Sequence, residues 1–311
     1  MRKSLEEKWV SLIDSKKYRE FAQRSVVSKV FKSSIYQSTN YFRRYAITYY
    51  KANRFPKYFQ EVEKYCIFIG QTKSGSSMIG GLLDAHPNII ISDEANALQY
   101  VETGLKRDQL FHILLRNSKR ELMKGRVTAR RLTPYSFLVP DQWQGNYSKL
   151  IAIGDSTAAK TTQNLAANPE LIRDLEVLMN GIQVKVIQVI RNPFDPISIM
   201  MIRGKRTFDN AMNHYFKDCK TLVDVRKELN TDNLYSIRYE DFVKSPAAEL
   251  SNLCKFLGLV VTDEYLDGCT SILSETPDQS RHLVKWKQDW IENVHDKILQ
   301  FDYLAGYTFS N

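Results

Sequence analysis

Several features of exported or membrane-spanning chains are missing from this sequence. Its 311 residues hold no apolar run long enough to cross a bilayer, and the first residues lack the apolar core of a signal peptide. The four cysteines, Cys66, Cys219, Cys254 and Cys269, form no C-x-x-C pair and have no metal-ligand spacing with the five histidines. The expectation is a cytoplasmic protein with reduced, buried thiols and no metal. Internal repeats and low-complexity tracts are also lacking, so solenoid and fibrous architectures are excluded.

A general charge excess is missing too, although the formal net charge is +9. Residues 1–60 hold 14 Lys and Arg against 4 Asp and Glu, a net of +10, and the rest hold 30 against 31, a net of −1. The basic character therefore belongs to one segment. A nearly neutral body gives no reason to expect a nucleic-acid partner.

Residues 1–60 read as a helical extension, two or three helices ending near Pro56 and crowded with Tyr41, Phe42, Tyr45, Tyr49, Tyr50, Phe55, Tyr58 and Phe59. Such a basic, aromatic segment suits an anionic membrane surface or an acidic partner. The commoner fate of an amphipathic stripe is to pack its apolar face on the body while Lys and Arg face water. Residues 61–311, 43% hydrophobic over the whole chain, are long enough to form one large α/β domain.

The most informative stretch is Cys66 to Ser77, C-I-F-I-G-Q-T-K-S-G-S-S. Ile67, Phe68 and Ile69 suit a strand buried on both faces, Gly70 ends it, and Met78, Ile79, Leu82 and Leu83 recur at the spacing of a helix's inward face. Strand, glycine loop and helix start make an anion cradle, because the first amides of a helix lack internal partners and carry the positive end of its dipole. Gly70 and Gly75 match the first part of G-x-x-x-x-G-K-[ST], yet Ser76 stands where a nucleotide triphosphatase needs lysine, and Lys73 lies inside the loop. A nucleoside kinase or triphosphatase is therefore disfavoured.

The stretch Thr72–Met78 resembles the 5′-phosphosulfate loop of sulfotransferases that use 3′-phosphoadenosine 5′-phosphosulfate (PAPS), and four later segments follow in that family's order. L-D-A-H-P, Leu83 to Pro87, leads through Ile89–Ile91 to Ser92, Asp93 and Glu94, as in the tyrosylprotein sulfotransferase-like branch, where the second acid of the pair is the base. R-N-P-F-D-P-I-S, Arg191 to Ser198, is similar to the 3′-phosphate segment, with its serine seven rather than eight positions on; Ile199 occupies the eighth. R-Y-E-D-F, Arg238 to Phe242, and S-R-H-L-V-K-W-K, Ser280 to Lys287, complete the set.

The resemblance covers about residues 65–305 and implies an α/β fold with a central parallel sheet between helical layers. It implies sulfuryl transfer from PAPS, without metal, to a hydroxyl or amine of a small-molecule acceptor. A protein tyrosine acceptor is the alternative within the family, and a non-catalytic nucleotide-binding adaptor the alternative outside it. Glu94 and Lys73 take the catalytic roles. Donor contacts fall on Lys73, Ser74, Gly75, Ser76, Ser77, Arg191, Ser198, Arg203, Tyr239, Arg281, Lys285 and Lys287, with Tyr239 beside the adenine. Lys149 to Ile153 reads as a strand ending in G-D-S-T, Gly154 to Thr157; Ser156 stands where family members often carry lysine, and Lys160 is its nearest substitute. His86 reads as structural, and His112 is a weak alternative base.

Overall fold

The computed structural model describes residues 45–55, 57–128, 135–274 and 276–311. The helices expected within 1–44, and Arg130 and Arg131 of the irregular stretch, lie outside them.

Five parallel strands form the central sheet in the order β2-β5-β1-β6-β7: β1 (Lys64–Gly70), β2 (Ile89–Ser92), β5 (Ala152–Asp155), β6 (Gln183–Ile190) and β7 (Leu234–Arg238). A separate antiparallel ribbon pairs β3 (Val127–Thr128) with β4 (Tyr135–Ser136). The strand read as Lys149–Ile153 runs instead over Ala152–Asp155. Gly154 follows Ile153, where the pattern ends the strand, but it pairs with Cys66, and a Cβ there would lie 2.2 Å from the Cys66 carbonyl oxygen. Close backbone approach, not a turn, is why it is glycine.

β1 shows why the layers form. Successive side chains of a strand point to opposite faces. Tyr65, Ile67 and Ile69 enter one core with Phe111 of α2 (Arg107–Met123), Leu175 of α4 (Leu171–Met179) and Leu222 of α6 (Phe208–Lys227). Cys66 and Phe68 enter the other with Ile79 of α1 (Ser76–Leu83) and Leu253 of α8 (Pro246–Phe256). Both faces are covered by helices, as an all-parallel sheet requires. The architecture is three-layered α/β/α. Further helices of the domain are α3 (Ala158–Ala167), α5 (Phe194–Gly204), α7 (Tyr239–Lys244), α9 (Asp263–Ser271) and α10 (Gln288–Ile298).

The L-D-A-H-P segment is a structural joint. The buried Asp84 carboxylate accepts the Ile91 amide at 2.7 Å, the Gly145 amide at 2.8 Å and the Ser118 hydroxyl at 2.8 and 2.9 Å, and it pairs with Arg126. This ties α1 to β2, α2 and the following loop; a buried carboxylate is tolerated because its lone pairs are occupied. His86 joins the same corner, its Nδ1 accepting the Asn88 amide at 3.1 Å and its Nε2 facing the Val260 carbonyl at 3.0 Å.

The body also takes up part of the basic extension. Phe59 is 2% exposed against Phe111, and Thr48, within the helical stretch 45–54, is 4% exposed beside Gln109. Tyr49, Tyr50, Phe55 and Tyr58 keep between 44 and 67% of their surface exposed, so the aromatic stripe is only partly packed.

Candidate functional site

Because β1 lies between β5 and β6, the chain leaves it in opposite directions across the sheet, and a crevice opens at the carboxyl ends of the strands. A cleft of about 760 Å³ occupies that edge. Its floor is the loop Gln71–Ser77 and the first turn of α1.

Two left-handed residues shape this loop: Lys73 at φ 70° and Gly75 at φ 102°. Gly75 caps α1, so the amides that follow open the helix and have no acceptor inside it. A Cβ on Gly75 would meet Cδ2 of Tyr239 at 2.6 Å. Glycine here lets the loop lie flat on the tyrosine ring as well as turn. Ser74 is 1% exposed and its hydroxyl has no partner, although it lies at the cleft. A buried unpaired hydroxyl in an anion cradle fits an acidic ligand oxygen. Ser76 and Ser77 line the cleft as well.

Glu94 stands on the wall above this floor, exposed, and at φ 52°. Its neighbour Asp93 is turned inward: the carboxylate accepts the Ser156 hydroxyl at 3.0 Å and hydrogen-bonds with Ser77. Burial holds the Asp93 carboxyl above the usual carboxylate range, against the lowering effect of those hydroxyls. The two acids expected to form a pair thus have different environments, one exposed and lining the cleft, the other half-buried and bonded. Lys160 reaches the cleft from α3. Ser156, where the resemblance leads one to expect lysine, is a hydroxyl holding Asp93.

At the opposite wall β6 delivers Arg191, 5% exposed. Its guanidinium lies 4.4 Å from the Tyr239 ring centroid, donates to the Lys73 carbonyl at 3.4 Å and to the Asp278 carbonyl at 2.5 Å, and faces the Asp278 carboxylate at 3.4 Å. Tyr239 therefore supports the arginine and the glycine loop together. Arg203, one helical stretch on, also lines the cleft. Met78, Phe137, Val243, Ile272 and Leu273 supply apolar wall.

Four expected donor contacts are not on the cleft wall. Ser198 is fully buried, and its hydroxyl accepts the Trp286 indole N–H at 3.2 Å. Ile199 faces the cleft instead, because successive helical residues are turned by about 100°. Arg281 is 1% exposed and committed to Asp195, through its amide at 2.9 Å and its guanidinium at 2.8 Å, and to the Asn311 carbonyl at 2.7 Å. Lys285 and Lys287 are exposed outside the cleft, the latter with its ammonium 5.1 Å from the Trp290 ring centroid. What comes to the cleft from this part of the chain is the segment just ahead, Ser274, Thr276, Pro277 and Asp278. It has no basic residue, so a search for phosphate contacts passes over it.

His112 is also elsewhere. It packs on Phe59 and Tyr58 at centroid distances of 4.8 and 5.7 Å, away from the cleft, and burial pulls its imidazole down to about 4. All four cysteines are free and buried, their thiols pushed up to about 12 by burial. Among the described residues no three His, Cys, Asp or Glu side chains are grouped to share a metal ion, and no helix is long and apolar enough to cross a membrane.

A family model described as "Sulfotransferase family" matches residues 67–263. Among solved structures, the sulfotransferase domain of the Synechococcus PCC 7002 olefin synthase superposes with a TM-score of 0.45 at 19% identity, over 78% of this chain and 96% of its own. The sulfotransferase domain from the curacin biosynthetic pathway gives 0.46 at 16% identity, over 78% and 98%. The mouse sulfotransferase SULT7A1, solved with PAP, gives 0.40 at 15% identity, over 77% and 83%. No curated protein matches the chain.

Proposed function

The chain belongs to the sulfotransferase family, and we propose that it transfers the sulfuryl group of PAPS to a hydroxyl of a small acceptor. The observation that carries this reading is the meeting of the glycine loop, Glu94 and Arg191 in one cleft. Each suits a different part of the reaction.

The donor's 5′-phosphosulfate fits the floor. Lys73, the opening amides of α1, and the hydroxyls of Ser74, Ser76 and Ser77 supply positive and donor groups where negative charge gathers on the leaving phosphate. The 3′-phosphate fits Arg191, whose planar fork binds a phosphate monoester through two charged hydrogen bonds. Arg203 adds charge to the same wall. Tyr239, Val243, Ile272 and Leu273 offer the adenine a flat, mostly apolar side.

Glu94 takes the proton of the acceptor hydroxyl as its oxygen attacks sulfur. The new bond joins oxygen to sulfur, the bond from sulfur to the bridging phosphate oxygen breaks, and adenosine 3′,5′-bisphosphate leaves with that electron pair. Lys160, which lines the same cleft, shares the developing charge in the role the resemblance gives to a lysine at position 156. The apolar wall from Met78 and Phe137 suits an acceptor carrying its hydroxyl on a small apolar body. We assign the catalytic unit to residues 61–311, cytoplasmic in location, and give residues 1–60 a part in presenting the acceptor or a partner.

Transfer of labelled sulfate from PAPS into pools of phenols, alcohols and amines, without added magnesium, tests the reading. Calorimetry should show adenosine 3′,5′-bisphosphate binding at least tenfold tighter than 5′-AMP. Equal binding of the two would refute the donor assignment, and magnesium-dependent transfer from a nucleoside triphosphate would return the chain to the kinase class.

A further inference from the structure

Glu94 lies in a loop whose own bonds, from Gln99 to the Ala95 carbonyl and between Asn96 and Gln99, are few and on its exposed side. It and Asn96 both sit at φ 52°, a left-handed conformation that side-chain-bearing residues keep only where their surroundings enforce it. Asn117 of α2 holds the Asp93 carbonyl and Asn164 of α3 holds the Asn96 side chain, but the main-chain amides after Glu94 are held from the end of β5. Asp155 pairs with Ser92 across the sheet and is 1% exposed. Its Oδ1 accepts the Ala95 amide at 3.1 Å, and its Oδ2 accepts the Ala97 amide at 2.9 Å and the Thr157 hydroxyl at 2.9 Å. Thr157 Oγ1 in turn accepts the Asn96 amide at 3.1 Å. Three consecutive amides, directly after Glu94, are thus gripped by two side chains, Asp155 at the end of β5 and Thr157 two residues on.

Asp155 is not on the cleft wall, so it touches no reacting atom. A buried carboxylate accepting two amides is a costly device for closing an ordinary loop, for which a serine or a main-chain carbonyl would do. We propose that Asp155 is a positioning residue for the transfer reaction, fixing through the amides of Ala95 and Ala97 the direction in which Glu94 faces the acceptor. Thr157 extends the same grip by one residue. This rests on Glu94 being the base; if another group takes the proton, Asp155 shapes a loop without that consequence.

The test uses the full-length chain and four proteins: wild type, Asp155→Asn, Glu94→Gln and the double variant. Asparagine keeps the shape but turns one acceptor into a donor facing an amide N–H. Turnover is read as labelled sulfate entering a pooled set of phenols and alcohols, donor binding as the Kd of adenosine 3′,5′-bisphosphate, and loop order as hydrogen exchange of the amides of residues 95–97. In Asp155→Asn, kcat should fall about 10- to 100-fold, Kd should stay within twofold, and those amides should exchange at least tenfold faster. The double variant should be no slower than Glu94→Gln alone, because a base that is gone cannot be misplaced. Folded Asp155→Asn with kcat within twofold of wild type, or with wild-type exchange at Ala95 and Ala97, overturns the proposal. So does a loss that multiplies undiminished on Glu94→Gln. Full activity in Glu94→Gln instead overturns the base assignment, and is told apart by that single variant. Should Asp155→Asn fail to fold, Thr157→Val must give the same pattern on a smaller scale, and unchanged kcat there refutes the grip.

Discussion

Asp278 lies against Arg191, its carboxylate 3.4 Å from the guanidinium and its main-chain oxygen accepting from the same group. The carboxylate is steadied from the other side by the Ser280 hydroxyl at 3.0 and 3.1 Å. An acid therefore stands where the proposed 3′-phosphate would be bound, and the two must compete for one arginine. Asp278→Asn should tighten adenosine 3′,5′-bisphosphate about three- to tenfold while leaving 5′-AMP within twofold. Arg191→Ala should weaken the bisphosphate by about 1.5–3 kcal/mol, the worth of charge-assisted hydrogen bonds. Calorimetry on both variants decides the matter. Unchanged bisphosphate affinity in Asp278→Asn would show that the acid does not share the phosphate's place.

The loop's fit to Tyr239 gives a second expectation. Gly75→Ala puts a methyl 2.6 Å from the ring edge at a φ of 102°, so two costs arise, a steric one and a backbone one. Stability should fall by about 1–3 kcal/mol in urea unfolding, and donor affinity with it. Tyr239→Ala removes only the steric part, so the double variant should be less destabilised than the sum of the two singles. Strict additivity would mean that loop and ring do not press on each other.

Much of this site could be read from the sequence, and the exceptions have physical causes. β1, the glycine loop and α1 follow from local pattern alone, since an apolar strand, a glycine-bounded turn and a helix start are all short-range signals. Arg191 was legible for the same reason, as the residue at the end of an apolar strand. Ser198 was not, because a helix turned by one residue moves a side chain from cleft to core, and Ile199 took the cleft position. Arg281 resembles a ligand contact in sequence, but nothing local announces that Asp195 will claim it. Asp155 was missed as well. The pattern ends the strand at Ile153, which leaves Asp155 beyond it, and its grip on the amides of Ala95 and Ala97 spans about sixty positions.

Asp155 also leaves a mark on stability. Burial pushes its carboxyl up to about 6, against the lowering effect of its amide and hydroxyl partners; Asp93 raises it further, and Tyr65 is the other ionisable group facing it. Its unfolded value lies near 4, so between pH about 4 and about 6 the folded chain binds the proton more tightly than the unfolded one. Raising the pH through that window should therefore cost stability, on the order of 2–3 kcal/mol from this group. Asp84, Asp93 and Asp195 are raised by burial as well and tilt the curve the same way. Comparing wild type with Asp155→Asn in urea at pH 4, 5, 6 and 7 isolates the one carboxyl. A gap between the two proteins that stays constant with pH would contradict the assignment.

The two neighbouring acids should separate chemistry from binding. Glu94 lines the cleft, whereas Asp93 is half-buried and bonded to Ser156 and to Ser77 of the anion cradle. Glu94→Gln keeps the shape and removes the proton acceptor, so turnover should fall by about 10² to 10⁴ with donor affinity within twofold. Asp93→Asn should act mainly through Ser77, weakening the donor severalfold while kcat is lowered far less than in Glu94→Gln. The acid limb of kcat/KM should disappear in Glu94→Gln and persist in Asp93→Asn. If Asp93→Asn abolished turnover while Glu94→Gln retained it, the base would be the half-buried acid, already held above the usual carboxylate range, and Glu94 would be a wall residue of the acceptor site.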